Sequence, residues 1–378
     1  MNLRIRKSTL GVALSALMLS APAIVRADQA DDVNALRQQI LQMQQRLNEL
    51  EANQKTTDDT LQKTVDSKKG VHSKFDVDVS GLLQVQALAP LSGDGSQRND
   101  TFRLRRGELK LTAIITDRIS GLVLFDVAKT KIDSNNRADA MLQEITLSYL
   151  LNKNGANKNY IDVGQTKLPL GYESLVSSSA LPLLERSMIF TQGKYGDVRD
   201  TGAQLRGNAG KLEYRVGVFN SLGDRQNNTA VRDGKAFAGR ILWKASDGLQ
   251  LGGSFGKASD NGNIVNLFAN YTKSKFWVWG EYAKGSRNSG ATIVDGNGFN
   301  VSAGYHFNPK LEAVARYDKF HDTVNGNATE STLGLNYYLK SNNAKIQINL
   351  VKHDGPLGSA ADYQSDWTEL RSGFQVAF

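Results

Sequence analysis

The 378-residue chain contains no cysteine and only four histidines, so it has no disulfide framework, no thiol nucleophile and no Cys-ligated metal. His72, His306, His321 and His353 are accompanied by no G-x-S-x-G or H-E-x-x-H motif. An enzyme is therefore not expected, and the residues suggest no cofactor or metal site. Beyond residue 27 no apolar run approaches the roughly 18 to 20 residues of a transmembrane helix. Charge of one sign is also scarcer than it looks. Of the formal net charge of +8, the basic residues Arg4, Arg6, Lys7 and Arg26 carry four with no acid among them, leaving +4 for the rest of the chain. That remainder is not clustered in one run, so nucleic acid is not an expected partner.

Residues 1–27 have the layout of a secretory signal peptide: a basic start, an apolar run from Leu10 to Leu19, and Val25-Arg26-Ala27 as a small-residue cleavage site. Residues 28–74 change to Gln, Asn, Asp, Glu and Leu. Val33, Leu36, Ile40, Met43, Leu47 and Leu50 recur at spacings of three and four, the seam of a coiled coil, with KKGVHSK as a linker after it. A continuous helix there would reach on the order of 50 Å as a periplasmic stalk. The alternative is a single amphipathic helix lying against the domain that follows.

From residue 75 to Phe378 the chain alternates polar and apolar residues. Leu212, Tyr214, Val216 and Val218 oppose Glu213 and Arg215, and Ile346, Ile348 and Leu350 oppose Lys345, Gln347 and Asn349. Sixteen strands are expected, at 75–88, 101–115, 120–130, 140–151, 160–166, 199–208, 210–220, 234–245, 249–259, 262–272, 276–287, 296–307, 310–319, 328–340, 344–353 and 366–378. Short turns alternate with longer Gly-, Asn- and Asp-rich loops, aromatic residues recur near strand ends, and the last strand closes on Phe378. An exported chain with this pattern reads as all-β, a sixteen-stranded antiparallel transmembrane barrel in a Gram-negative outer membrane, its N-terminal segment in the periplasm. Trp277 and Trp279 fall on the inferred inner face, where a loop packed inside the barrel would cover them.

Two stretches break the regularity. In TFRLRRGELKLTAII, Phe102 and Leu104 alternate with Arg103 and Arg105, whereas Leu109, Leu111 and Ala113 alternate with Glu108, Lys110 and Thr112. One extra residue is needed to join the halves. A β-bulge at Arg105-Arg106 supplies it and turns both guanidiniums to the polar side, which predicts a cationic constriction; two arginines snorkelling at a barrel rim are the alternative. Between residues 166 and 199 lies a connection too apolar for a solvated loop. Leu168, Leu170, Leu175, Val176, Leu181, Leu183, Leu184, Met188, Ile189 and Phe190 need burial, which a loop folded back into the lumen would give. It brings Lys167, Arg186, Lys194 and Arg199. On the inferred lumen wall ten basic residues face nine acidic ones, so any selectivity must come from segregation of the arginines.

FRLRRGELKL followed by LVLFDVAK, VGQTKLPLGYESLVSSS with LLERSMIF, and RDTGAQLRG leading into LEYRVGVFN resemble the phosphate-selective porin O and P family. The resemblance runs from about Phe75 onward and excludes the coiled coil. It implies a homotrimeric sixteen-stranded porin, a water-filled channel whose third external loop folds inward. By that likeness Arg105 and Arg106 line the narrowest zone and Arg186 follows the loop helix; Arg103, Lys110, Lys167 and Arg199 complete the candidate anion site. SSSALPLLER is serine, alanine and leucine where the family offers a lysine to phosphate, so the expected preference for phosphate-like oxyanions is moderate. A general small-solute porin, or a barrel anchoring a stalk that contacts the cell wall, are the alternatives. Outer-membrane lipid is the expected surrounding partner.

Overall fold

Period-two alternation requires a sheet with two unlike faces, and in the computed structural model that sheet closes on itself. The structure describes residues 38, 41–46, 76–93, 100–129, 131–132, 138–139, 141–223, 234–259, 262–289, 292–356 and 366–378. The chain divides into Met1–Asp76 and Val77–Phe378. In the first unit residues 38 and 41–46 are helical, with Leu41 and Met43 exposed. The signal sequence, the rest of the expected seam and the linker lie outside the described residues.

The strands are β1 (Asp76–Gly93), β2 (Thr101–Ile114), β3 (Ile119–Asp126), β4 (Lys131–Ile132), β5 (Ala138–Asp139), β6 (Leu142–Asn154), β7 (Asn157–Lys167), β8 (Arg199–Ala209) and β9 (Leu212–Phe219), then β10 (Ala236–Lys244), β11 (Leu249–Ala258), β12 (Asn263–Lys273), β13 (Phe276–Ser289), β14 (Thr292–Asn308), β15 (Leu311–Asp322), β16 (Gly326–Lys340), β17 (Ala344–Asp354) and β18 (Trp367–Ala377). All but β4 and β5 form the barrel, each pairing with its neighbour in sequence. β4 and β5 form a separate two-stranded ladder in the connection between β3 and β6. β18 meets β1 antiparallel from Leu82↔Ala377 to Gly93↔Trp367, with a register shift beside Pro90, where a missing N–H is tolerated.

All sixteen expected strands form, with different ends. β3 stops at Asp126, short of the expected residue 130. The Asp126 carboxylate accepts from the backbone N–H of Gly107 (2.9 Å) and of Ala128 (3.2 Å), and the chain turns into a 3-10 helix at Val127–Lys129. β14 starts at Thr292 and β16 at Gly326, earlier than expected. Their ladders continue past the apolar stripe, so hydrogen bonding extends where hydrophobic alternation no longer marks it.

Burial is inverted relative to a water-soluble sheet. On β17, Lys345, Gln347, Asn349 and His353 are buried while Ile346, Ile348 and Leu350 are exposed. Phe102, 83 % exposed, and Leu104 stand outward on β2. An apolar exterior over a polar interior is stable only with hydrocarbon outside. No described helix is long and apolar enough to cross a membrane. The barrel does so with strands.

The connection 168–198 holds the apolar core. Leu168, Leu170, Met188, Ile189, Phe190, Tyr195 and Val198 cluster with Phe219, Ala236, Ala238, Ile264, Ala283 and Phe320 of the wall. Complete burial of Leu168 and Ile189, at 0 % exposure, contributes about 1.5–3 kcal/mol each. A second cluster joins Leu183 and Tyr172 to Trp277, Trp279 and Val314, so the two inner-face tryptophans are covered by this connection. Leu175 and Val176 are only half-buried. The chain enters through Gly171, whose φ of +79° suits glycine, and a Cβ there would lie 2.6 Å from Glu281 Oε1.

Irregular backbone needs partners for its polar groups. Glu281 accepts from the N–H of Tyr172 (2.9 Å) and of Glu173 (3.1 Å). Asn336 and Gln347 donate to Pro182 O (2.8 and 3.0 Å), Lys345 to Leu181 O (2.6 Å), and Leu184 N donates to Asn349 Oδ1 (3.0 Å).

Candidate functional site

Arg103 and Arg105 share a face of β2 and converge on one carboxylate. Glu185 Oε1 accepts from Arg103 Nη2 at 2.6 Å and from Arg105 Nε at 2.7 Å, and Glu185 Oε2 from Arg105 Nη2 at 2.7 Å. The Arg105 pair is bidentate, the geometry in which a guanidinium binds an oxyanion best. Arg103 Nε also donates to Gln86 (2.8 Å). Arg106, next in sequence, faces the same interior and donates to Gln84 of β1 (2.5 Å), with Glu108 at 3.8 Å. Two adjacent residues therefore turn to one side of the strand, and the exposed positions shift from Phe102 and Leu104 to Leu109. Burial opposes charge on Glu185. Arg105 above all, then Arg103 and Arg106, nevertheless hold its carboxyl well below the usual carboxylate range.

A second group lies around a cavity of ≈ 470 Å³ bordered by residues 175–179, β1 and its C-terminal partner Phe378, and the inner faces of β2, β3 and β6–β9. Lys110, Lys167, Arg199 and Arg215 line it against two acids, Glu108 and Glu144. Arg199 pairs with Glu144 (3.2 Å), and Lys167 with Asp197 (2.7 Å) while donating to Ser174 O (2.8 Å). Burial disfavours the charged Asp197, but Lys167, Arg186 and Arg199 hold it well below its ordinary value. Ser177, Ser178 and Ser179 form the lip of the cavity.

The expected residues thus separate. Arg103, Arg105 and Arg106 gather at Glu185 and Gln84, while Lys110, Lys167 and Arg199 gather at the cavity. Arg186 belongs to neither lining: its Nη1 donates to Glu173 O, its Nη2 to Val176 O (2.8 Å), and its Nε lies 3.2 Å from Asp197, so it holds the connection together. Lys194 is exposed. Sequence reasoning missed Glu185, although a carboxylate beside Arg186 in so apolar a run was a visible signal. It also missed the role of Arg316. The Nε of Arg316 lies 2.6 Å from Asp318, its Nη2 3.2 Å from Glu330 and its Nη1 3.6 Å from Glu173, and it donates to Glu185 O (2.8 Å). His306 Nε2 lies 3.2 Å from Glu312 on a channel wall, with no nucleophile paired to it. Among the described residues no cluster could hold a metal ion.

A closed sixteen-stranded barrel, apolar outside and polar inside, is an outer-membrane channel protein of the porin class. Residues 83–263 match the phosphate-selective porin O and P family. Its fold is similar to that of an anion-selective porin from Comamonas acidovorans, with a TM-score of 0.59 at 15% identity over 81% of this chain and 100% of that one. The outer membrane channel DcaP of Acinetobacter baumannii gives 0.57 at 13% identity, over 81% and 99%. OmpT of Vibrio cholerae in its trimer form gives 0.54 at 13%, over 81% and 100%. At such identities the likeness is one of fold. No curated protein matches the chain. Family and fold make this a passive outer-membrane channel and not an enzyme.

Proposed function

We propose that this porin passes small anions with a moderate preference for phosphate-like oxyanions. The connection 168–198 is read as the third external loop, folded into the lumen and narrowing it between Glu185 and the arginines of β2. An anion meets Arg103, Arg105 and Arg106 first, with Glu185 offsetting part of their charge, and then the cavity. The observation that carries this reading is the cavity lining, four basic residues against two acidic ones in a space large enough for a hydrated oxyanion. Fixed guanidiniums stay ionised at any working pH, and low-dielectric walls focus their field. The exposed seam residue Met43 on a helical segment supports a periplasmic coiled coil within 28–74, and with the barrel a homotrimer.

Planar-bilayer recording of the mature protein tests the reading. Zero-current potentials in a salt gradient should show anion preference, and added phosphate should block chloride current saturably. In Arg105→Ala/Arg106→Ala the preference should fall several-fold and the block should weaken, because Glu185 loses its bidentate partner. Cation selectivity of the wild type would reject the proposal. Anion preference without block would leave a general anion or small-solute porin.

A pH dependence follows. A carboxylate lowered in the folded state lends stability above its unfolded value, and loses it only as the pH falls through the lowered one. Glu185 is lowered, so it stays ionised across the ordinary carboxylate range. The difference in reversal potential between wild type and Glu185→Gln should remain constant from about pH 7 to about pH 4. A difference that vanishes by pH 4 would mean that Glu185 is protonated there.

A further inference from the structure

The outer surface carries a charge pattern that the channel does not use. Lys257, Lys284, Lys319 and Lys352 each occupy the ninth position of their strands, β11, β13, β15 and β17. All four are exposed and alternate with buried neighbours, so they face away from the lumen. Two residues earlier, on the same outward face, stand Phe255, Tyr282, Tyr317 and Leu350, all exposed. The ladder pairs Lys257 with Asn263, Lys284 with Asn297, Lys319 with Thr329 and Lys352 with Ser331. Uncharged hydrogen-bonding residues therefore fill the strands between.

The row is level. Strands of a barrel tilt by about 35–45°, so a ring of constant height slips by about one residue per strand. Between successive lysines the register slips by two residues over two strands, as the pairs Lys284↔Val265↔Phe255 and Lys319↔Phe299↔Tyr282 show. The lysines stand roughly 20 Å above the short-turn rim, near the upper edge of an apolar band about 25 Å tall, and about 12 Å apart along the wall. Short turns mark the periplasmic rim, so this edge meets the outer leaflet. Among the described residues Lys257, Lys284 and Lys319 have no ion-pair partner, and Lys352 lies 3.2 Å from the exposed Asp354. The one other acid on this face at that end of β10–β17, Asp295, accepts a hydrogen bond from Ser286. Among the described residues β1–β3, β6–β9 and β18 carry no outward lysine or arginine in their outer halves.

We propose that the row from β11 to β17 is a docking surface for outer-leaflet lipid with a phosphorylated headgroup. The aromatic or leucine step below each lysine packs along acyl chains. The ammonium groups and the Asn, Thr and Ser between them take the phosphates. Phosphate is the chemistry that answers a ring of ammoniums at this height: it sits at the hydrocarbon boundary and supplies the counter-charge that the protein withholds. Confinement to one half of the barrel makes that half the lipid face.

The test uses the full mature protein extracted from outer membranes, with the variant Lys257→Gln/Lys284→Gln/Lys319→Gln/Lys352→Gln and the control Lys273→Gln/Lys310→Gln at the short-turn rim. Co-purifying phosphorylated glycolipid is counted by mass spectrometry. Affinity is measured for that lipid and for the same lipid after enzymatic dephosphorylation. Each lysine removed should weaken binding about fivefold. The dephosphorylated lipid should bind wild type as poorly as the intact lipid binds the variant, with conductance and the control unaffected. Equal lipid retention by the fourfold variant, or an equal loss in the control, would overturn the proposal. So would cross-linking of Lys284→Cys to a neighbouring subunit, which would make the row a contact between copies.

Discussion

Glu185→Gln should raise the anion-to-cation permeability ratio about three- to tenfold. The side chain keeps its length and one oxygen that can accept from Arg103 Nη2 and Arg105 Nε, while its NH2 gives up the acceptor that faces Arg105 Nη2, and one negative charge leaves the group. Two unit charges about 4 Å apart interact by about 4 kcal/mol at an effective dielectric of 20, and Glu185 lies closer than that to both guanidiniums. Arg103 is 40 % exposed, so water and salt screen part of the effect, which is why the expected change is several-fold rather than hundredfold. Reversal potentials in a potassium chloride gradient measure it directly. An unchanged ratio would mean that ions do not pass near these arginines.

Arg316→Leu should destabilise the barrel by about 3–5 kcal/mol, the usual consequence of leaving buried charges without their partner. Arg316 is 2 % exposed and faces Glu173 from the connection and Asp318 and Glu330 from the wall, so its loss strands three carboxylates at once. It also removes the donor to Glu185 O, freeing the stretch that presents Glu185 to β2. A lower midpoint in guanidinium unfolding, seen also as loss of the compact heat-modifiable band on gels, should therefore come with noisier and larger single-channel conductance. An unaltered midpoint would show that the carboxylates find other counter-charges.

The strands were legible because an open-water lumen and a hydrocarbon exterior impose a strict period of two, and a residue such as Ile348 between Gln347 and Asn349 declares its face. Ends were less legible. Asp126 stops β3 by accepting two backbone N–H groups, an act that depends on Gly107 across the ladder and not on its own neighbours. The inward turn of the β2 arginines was legible for the same reason as the strands. It was opaque in the connection, where irregular backbone has no period to assign faces. Glu185 and Arg186 are adjacent yet have separate partners, the β2 arginines for one and the carbonyls of Glu173 and Val176 for the other. Resemblance pointed to the arginine, and the carboxylate is the group that meets Arg103 and Arg105. Arg316 was counted as one lumen charge among ten, since nothing local to β15 announces that Glu173, far back in the chain, will come to it.

The strands that clamp the connection are the last in the chain. Asn336 of β16, Lys345 and Gln347 of β17, and Gln375 of β18 all donate to carbonyls at Ser179, Leu181 or Pro182. Gln84 of β1 donates to Gln375 beside the seam where the barrel closes. Synthesis delivers those carbonyls long before it delivers the donors. With the segment unseated, these amides and the Lys345 ammonium would be left to lumen water in place of the carbonyls at 179–182. Residues 179–182 thereby act as a brace shared by the last three strands beside the β18–β1 seam.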